Sequence, residues 1–121
     1  MTRMVDVAAV DDLADGEMRA VAAGDDEFLV VRVGDEFYAT QAYCPHMGGQ
    51  LAKGRLDGTV VTCPRHGSRF DLRDGRVLRW TEWSGLVLAV AKVFKSPRPL
   101  EIYATRLEGD RVMVEVPGED T

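Results

Sequence analysis

Two short segments decide how this chain folds: Cys44-Pro45-His46-Met47-Gly48-Gly49-Gln50-Leu51 and, with sixteen residues between His46 and Cys63, Cys63-Pro64-Arg65-His66-Gly67-Ser68-Arg69-Phe70-Asp71. Each joins one cysteine to one histidine through a proline, and glycine follows closely. The chain has two cysteines and two histidines, so these segments hold all of them. Pro45 biases Cys44 toward extended backbone. In an extended segment, side chains at i and i+2 leave the same side, so Cys44 and His46 point together. Gly48-Gly49 and Gly67 let backbone pass close to a bulky group and leave amide N–H groups unshielded. A disulfide between the cysteines would leave the clustered histidines unexplained, and a reducing compartment would not preserve it. The cysteines are therefore read as metal ligands.

Two thiolates and two neutral imidazoles suit either one tetrahedral zinc ion or a pair of bridged irons. Zinc sites usually pair their ligands as C-x₂₋₄-C and H-x₃₋₅-H, and a single residue between Cys and His departs from that spacing. With two ferric ions, two sulfides and two thiolates the formal charge is zero, becoming minus one on reduction. Four thiolates would make both states more negative, so the histidine-ligated cluster accepts an electron more readily than an all-cysteine one. The imidazoles also carry titratable protons, which couples reduction to protonation.

Outward from the motif, the chain reads as short β-rich runs broken by turn residues. Val5–Val10 comes first, and Met18–Ala23 follows a turn at Asp15-Gly16. Phe28–Val33 and Phe37–Thr40 flank Gly34-Asp35, and Leu56 and Thr59–Thr62 flank Asp57-Gly58. Phe70–Leu72 and Val77–Leu78 flank Asp74-Gly75, and Leu100–Leu107 and Val112–Val116 flank Gly109-Asp110. These are hairpin signals. Together they predict an all-β fold, an antiparallel β-sandwich or small barrel, as one domain over residues 1–121. One stretch departs from the pattern. Trp83, Leu86, Val87, Val90, Val93 and Phe94 recur at helical spacing and predict a short helix over about 83–94, although its valines also suit a strand. Its apolar stripe either packs onto the sheet or offers a docking or self-association surface. Trp80 and Trp83 are read as packing residues.

With 45% hydrophobic and 29% charged residues, the chain falls outside the disordered and fibrous classes. The N-terminus has no apolar stretch of signal-peptide length, and the longest uncharged run, Trp83–Ala91, is too short to span a bilayer. A cytoplasmic protein with no membrane partner is expected. The net charge of −5 argues against nucleic acid as a partner. Its distribution is uneven. Residues 51–80 carry seven basic side chains (Lys53, Arg55, Arg65, Arg69, Arg73, Arg76 and Arg79) against Asp57, Asp71 and Asp74, while the remainder is strongly acidic. This is either scatter over a solvated surface or a basic rim that orients an acidic partner.

The two segments resemble the cluster-binding loops of Rieske iron–sulfur proteins, of the soluble ferredoxin type that lacks a disulfide. The resemblance implies an all-β Rieske domain with one [2Fe–2S] cluster at a tip, held by Cys44 and Cys63 at the inner iron and His46 and His66 at the outer. Ser96-Pro97-Arg98-Pro99 resembles the proline loop that covers the cluster, which places Pro97 beside it. Members of respiratory quinol-oxidising complexes carry an extra cysteine in each loop; here those positions are Gly49 and Arg65. A tyrosine directed at a ligand thiolate in those members is replaced by Phe70. Ser68 stands where they place a hydroxyl that donates to a bridging sulfide. Asp71 is read as a turn acceptor. The function implied is one-electron transfer from a flavoprotein reductase to an oxygenase or other oxidoreductase, by a carrier or oxidoreductase component and not a stand-alone catalyst. A small Rieske-like subunit of an NAD(P)H-dependent nitrite reductase complex is the alternative. A complete Rieske oxygenase needs a catalytic domain and mononuclear-iron ligands that this length does not hold.

Overall fold

Phe28, Leu29, Val30 and Val31 are consecutive and all buried, and neighbours in a strand face opposite sides. They belong to β3 (Asp26–Val33) of a computed structural model that describes residues 2–23, 26–45, 49–64, 67–79 and 99–117. Phe28 and Val30 enter one hydrophobic cluster, with Phe37, Ala39, Val112 and Val114. Leu29 and Val31 enter a second, with Leu51, Val61, Phe70, Leu72, Leu100 and both cysteines. We call the second the proximal core and the first the distal core. Each large side chain buried in either contributes on the order of 1.5–3 kcal/mol relative to exposure.

The other described strands are β1 (Thr2–Ala9), β2 (Met18–Ala23), β4 (Glu36–Gln41), β5 (Arg55–Asp57), β6 (Val60–Thr62), β7 (Arg69–Asp71), β8 (Val77–Arg79), β9 (Ile102–Tyr103), β10 (Thr105–Glu108) and β11 (Arg111–Pro117). They form three sheets, ordered β1-β11-β10, β2-β3-β4-β9 and β5-β6-β7-β8. Every described pairing is antiparallel. The all-β, antiparallel expectation is thus met. The segment expected as a helix over about 83–94, with Trp80 and Trp83, lies outside the described residues.

Beyond strand ends that move by one to three residues, two features differ from the sequence reading. The single strand expected over Leu100–Leu107 divides at Ala104 into β9 and β10, because its halves serve different sheets. Ile102 and Tyr103 pair with Thr40 and Ala39 on β4, whereas Thr105–Glu108 pair with β11. The corner is held by Glu115 N–H donating to the Ala104 carbonyl at 2.8 Å and by Thr105 Oγ1 donating to the Phe37 carbonyl at 2.7 Å. Tyr103 also meets Phe28 edge-on, with centroids 5.2 Å apart. The second difference is a one-residue shift. Asp57 pairs with Val60, so the β5–β6 turn is Gly58-Thr59 and not Asp57-Gly58.

The chain returns to the proximal core at Leu100, whose N–H donates to the Gly75 carbonyl at 2.8 Å. Gly75 has φ +79, and a Cβ there would run into the Leu100 carbonyl oxygen. Gly58 has φ +61 with nothing within 4 Å of its would-be Cβ. Gly58→Ala is therefore expected to cost about 1 kcal/mol, the left-handed backbone penalty alone. Gly75→Ala is expected to cost about 1–3 kcal/mol more, because the Leu100 backbone must also move. Urea unfolding of the two variants measures the difference, and equal costs would show that the Leu100 contact yields freely.

Candidate metal centre

The segment after β4 turns back on itself. Cys44 N–H donates to the Gly49 carbonyl at 2.8 Å, Leu51 N–H donates to the Ala42 carbonyl at 3.2 Å, and Tyr43 and Gln50 form an isolated bridge. The segment after β6 closes in the same way. Cys63 N–H donates to the Ser68 carbonyl at 2.8 Å, and Gly67 N–H donates back to the Cys63 carbonyl at 3.2 Å. In both loops the cysteine amide reaches the carbonyl five residues on. Each loop is pinched at its neck, and the cysteine sits at the pinch. In sequence, His46 and His66 fall between the two ends of these bonds.

Cys44 and Cys63 are each 3% exposed and are not joined in a disulfide. Both pack into the proximal core. The structure thus brings together the two cysteines that the sequence reading paired. His46, His66 and Pro97 lie outside the described residues, and among the described residues no three His, Cys, Asp or Glu side chains form a metal-binding group. Two thiols pack into one apolar cluster, each at the neck of a loop whose sequence continues to a histidine. That donor set fits a binuclear iron–sulfur cluster, and the aliphatic packing keeps water from the sulfur side.

Ser68 is fully buried beside the second neck, and Phe70, two residues on, is fully buried too. Asp71 is the turn acceptor expected from its place after Phe70. It is buried and accepts from Thr59 Oγ1 at 3.2 Å, from Arg73 N–H at 2.9 Å and from Arg73 Nη2 at 2.8 Å. The Arg76 guanidinium stands 3.8 Å away. Hydrogen bonds from Arg73 hold the Asp71 carboxyl well below the usual carboxylate range, against the opposing effect of burial. A feature that the sequence reading did not single out as a site lies on the flank of the second loop. It is a cleft of about 340 Å³ lined by Lys53, Gly54, Arg55, Thr62, Cys63, Pro64 and Gly67. Its only sequence signal was the basic excess over residues 51–80.

The family model described as Rieske [2Fe-2S] domain matches residues 3–93. The chain belongs to the Rieske [2Fe-2S] domain family. It is similar to the ferredoxin component of biphenyl 2,3-dioxygenase from Rhodococcus jostii (strain RHA1), with 36% identity over 107 residues, 88% of this chain and 87% of that protein. The solved ferredoxin of carbazole 1,9a-dioxygenase from Nocardioides aromaticivorans IC177 has 29% identity and a TM-score of 0.73, over 92% of this chain and 95% of that one. A chain in a complex of reduced oxygenase and oxidized ferredoxin in carbazole 1,9a-dioxygenase has 30% identity and a TM-score of 0.72, over 92% of this chain and 91% of that one. This Rieske protein is an electron-transfer protein whose cofactor is one [2Fe–2S] cluster. When bound, the cluster supplies a site that takes up and releases single electrons.

Asp71 gives this centre a measurable acid limit. Its carboxyl is depressed in the folded protein, so its stabilisation is full above the unfolded value of about 3.9 and is lost as pH falls below it. Asp71→Asn is expected to cost about 1.5–3 kcal/mol near neutrality, the range for a hydrogen bond to a charged group. In urea unfolding the gap between the two proteins should stay level from about pH 5 to 8 and narrow below about pH 4. A gap that widened in acid would contradict the assignment.

Proposed function

We propose that Cys44, His46, Cys63 and His66 hold the [2Fe–2S] cluster within one domain over residues 1–121, with Ser68 and Pro97 beside it. The protein carries single electrons in the cytoplasm, from a flavoprotein reductase to a terminal oxygenase. The observation that carries this reading is the pair of matched loop necks, which bring Cys44 and Cys63 to one apolar cluster. The names of the relatives support the partners: they are ferredoxin components of dioxygenase systems, and one solved structure joins a ferredoxin to an oxygenase. No helix among the described residues is long and apolar enough to cross a membrane.

Each residue has a distinct task in this reading. Cys44 and Cys63 supply thiolates from a site closed to water. His46 and His66 supply neutral donors, which keep the total charge low and ease reduction. The Ser68 hydroxyl donates toward the sulfur side and favours the more negative, reduced state.

Purified protein is expected to contain iron and acid-labile sulfide at about two each per chain, with the low average g-value in electron paramagnetic resonance that nitrogen ligation of one iron produces. One zinc ion and no sulfide would end the proposal. Cys44→Ala and Cys63→Ala should each abolish the signal and much of the folded stability, because ligand binding and folding are linked. Ser68→Ala should keep the signal but lower the reduction potential by tens of millivolts, given about 60 mV per 1.4 kcal/mol for one electron. Protein-film voltammetry measures that shift, and an unchanged potential would leave Ser68 a purely structural residue.

A further inference from the structure

Five of the basic residues between positions 51 and 80 fall into two groups. Arg73 and Arg76 are committed to Asp71, at 2.8 and 3.8 Å. Lys53, Arg55 and Arg69 are in no ion pair among the described residues. Sheet register draws Arg55 and Arg69 together. Arg55 pairs with Thr62, and Thr62 pairs with Arg69. Direct cross-strand partners carry their side chains on one face, so the three residues form a row across β5, β6 and β7. The adjacent row, Leu56, Val61 and Phe70, turns the other way, into the proximal core. The arginine row therefore faces outward, directly beside Cys63 and Ser68.

Three further observations bear on what this face is for. A β-bulge places Arg79, and not Leu78, opposite Arg69: Phe70 pairs with Val77, and the register then skips one residue. Next, Arg69 Nε is buried with no hydrogen-bond partner, although Asp71, two residues away, is saturated with donors from Arg73 and Thr59. A buried guanidinium N–H with no acceptor is costly. Finally, Gly54 lets the Lys53–Arg55 backbone press onto the carbonyl of Thr62, where any Cβ would collide. That approach seats Lys53 and Arg55 on the rim of the cleft that Cys63 and Pro64 also line.

We propose that Lys53, Arg55 and Arg69 form a carboxylate-binding docking face beside the second loop, onto which an acidic surface of the redox partner seats. The inference rests on the electron-transfer reading above. Guanidinium forks match carboxylates in two-point geometry. A local positive face on a chain of net charge −5 gives the molecule a charge asymmetry that turns this face toward an acidic partner during approach. A nucleic acid backbone would instead meet the surrounding negative charge along most of its length.

The test uses the cluster-loaded protein and fluorescently labelled poly-L-glutamate at low salt, followed by anisotropy. Wild type is expected to bind, and added salt should weaken the binding. Lys53→Gln with Arg55→Gln should weaken it by about tenfold, whereas Arg3→Gln with Arg106→Gln, the same charge change on other strands, should alter it by less than about twofold. If the double variant does not assemble its cluster, Lys53→Gln and Arg55→Gln singly, each expected at about threefold, decide the matter. Absence of binding at low salt, equal losses in the two double variants, or tighter binding of a duplex DNA oligonucleotide would overturn the proposal. In each of those cases an intact iron–sulfur signal would leave the electron-transfer reading standing. Protein that holds no iron or sulfide would sink that reading itself, and the docking proposal with it.

Discussion

A strand covered on both faces has no side on which to place a polar residue, and β3 meets that condition from Phe28 to Val31. Its period-two alternation divides the interior into two cores. The distal core, against β1 and β11, contains only packing residues. The proximal core contains the two cysteines. β3 is therefore the shared wall between a part of the molecule that supplies stability and a part that holds chemistry. The splitting of the Leu100–Leu107 run follows from the same constraint. The returning chain must give Leu100 and Ile102 to the proximal core and Tyr103 to the distal one before it joins β11.

Within the proximal core, the cysteine positions are set by backbone bonds more than by side-chain packing. The Cys44 and Cys63 amides each close a loop to the carbonyl five residues on. This fixes each cysteine at the neck of its loop. Both necks close in one way even though the sequences differ, with one residue between Cys and His in the first and two in the second. Burying a sulfur donor at a hydrogen-bonded neck also removes it from solvent, which favours a centre of low total charge.

The outer face of β5–β8 divides its charges between two purposes. Asp71 draws in Arg73 and Arg76 and ties the β7–β8 turn together. The Arg55–Thr62–Arg69 row keeps its charges for the outside. The two groups are close in sequence, so the number of basic residues alone says little. What separates them is place: the β7–β8 turn brings Arg73 and Arg76 to Asp71, while cross-strand pairing sets Arg55 and Arg69 in a row with Thr62.

The class of fold and the family are legible in the sequence, because both are written in local chemistry. Cys-x-His and Cys-x-x-His spacing specify donors. Glycine-centred turns between β-branched runs specify hairpins. Pro45 and Pro64 mark where extended chain gives way to loop. Most strand boundaries were legible for the same reason. The turn at Gly58-Thr59 was misplaced by one residue, since Asp-Gly and Gly-Thr are both acceptable turn pairs and only cross-strand register selects between them. Tertiary structure alone decided that β3 serves two cores, that one apparent strand divides between two sheets, and that Lys53, Arg55 and Arg69 share a face beside Cys63. These facts depend on which distant backbone groups pair, and pairing across a sheet is settled by burial and hydrogen bonding summed over the whole chain, which no local run of residues records.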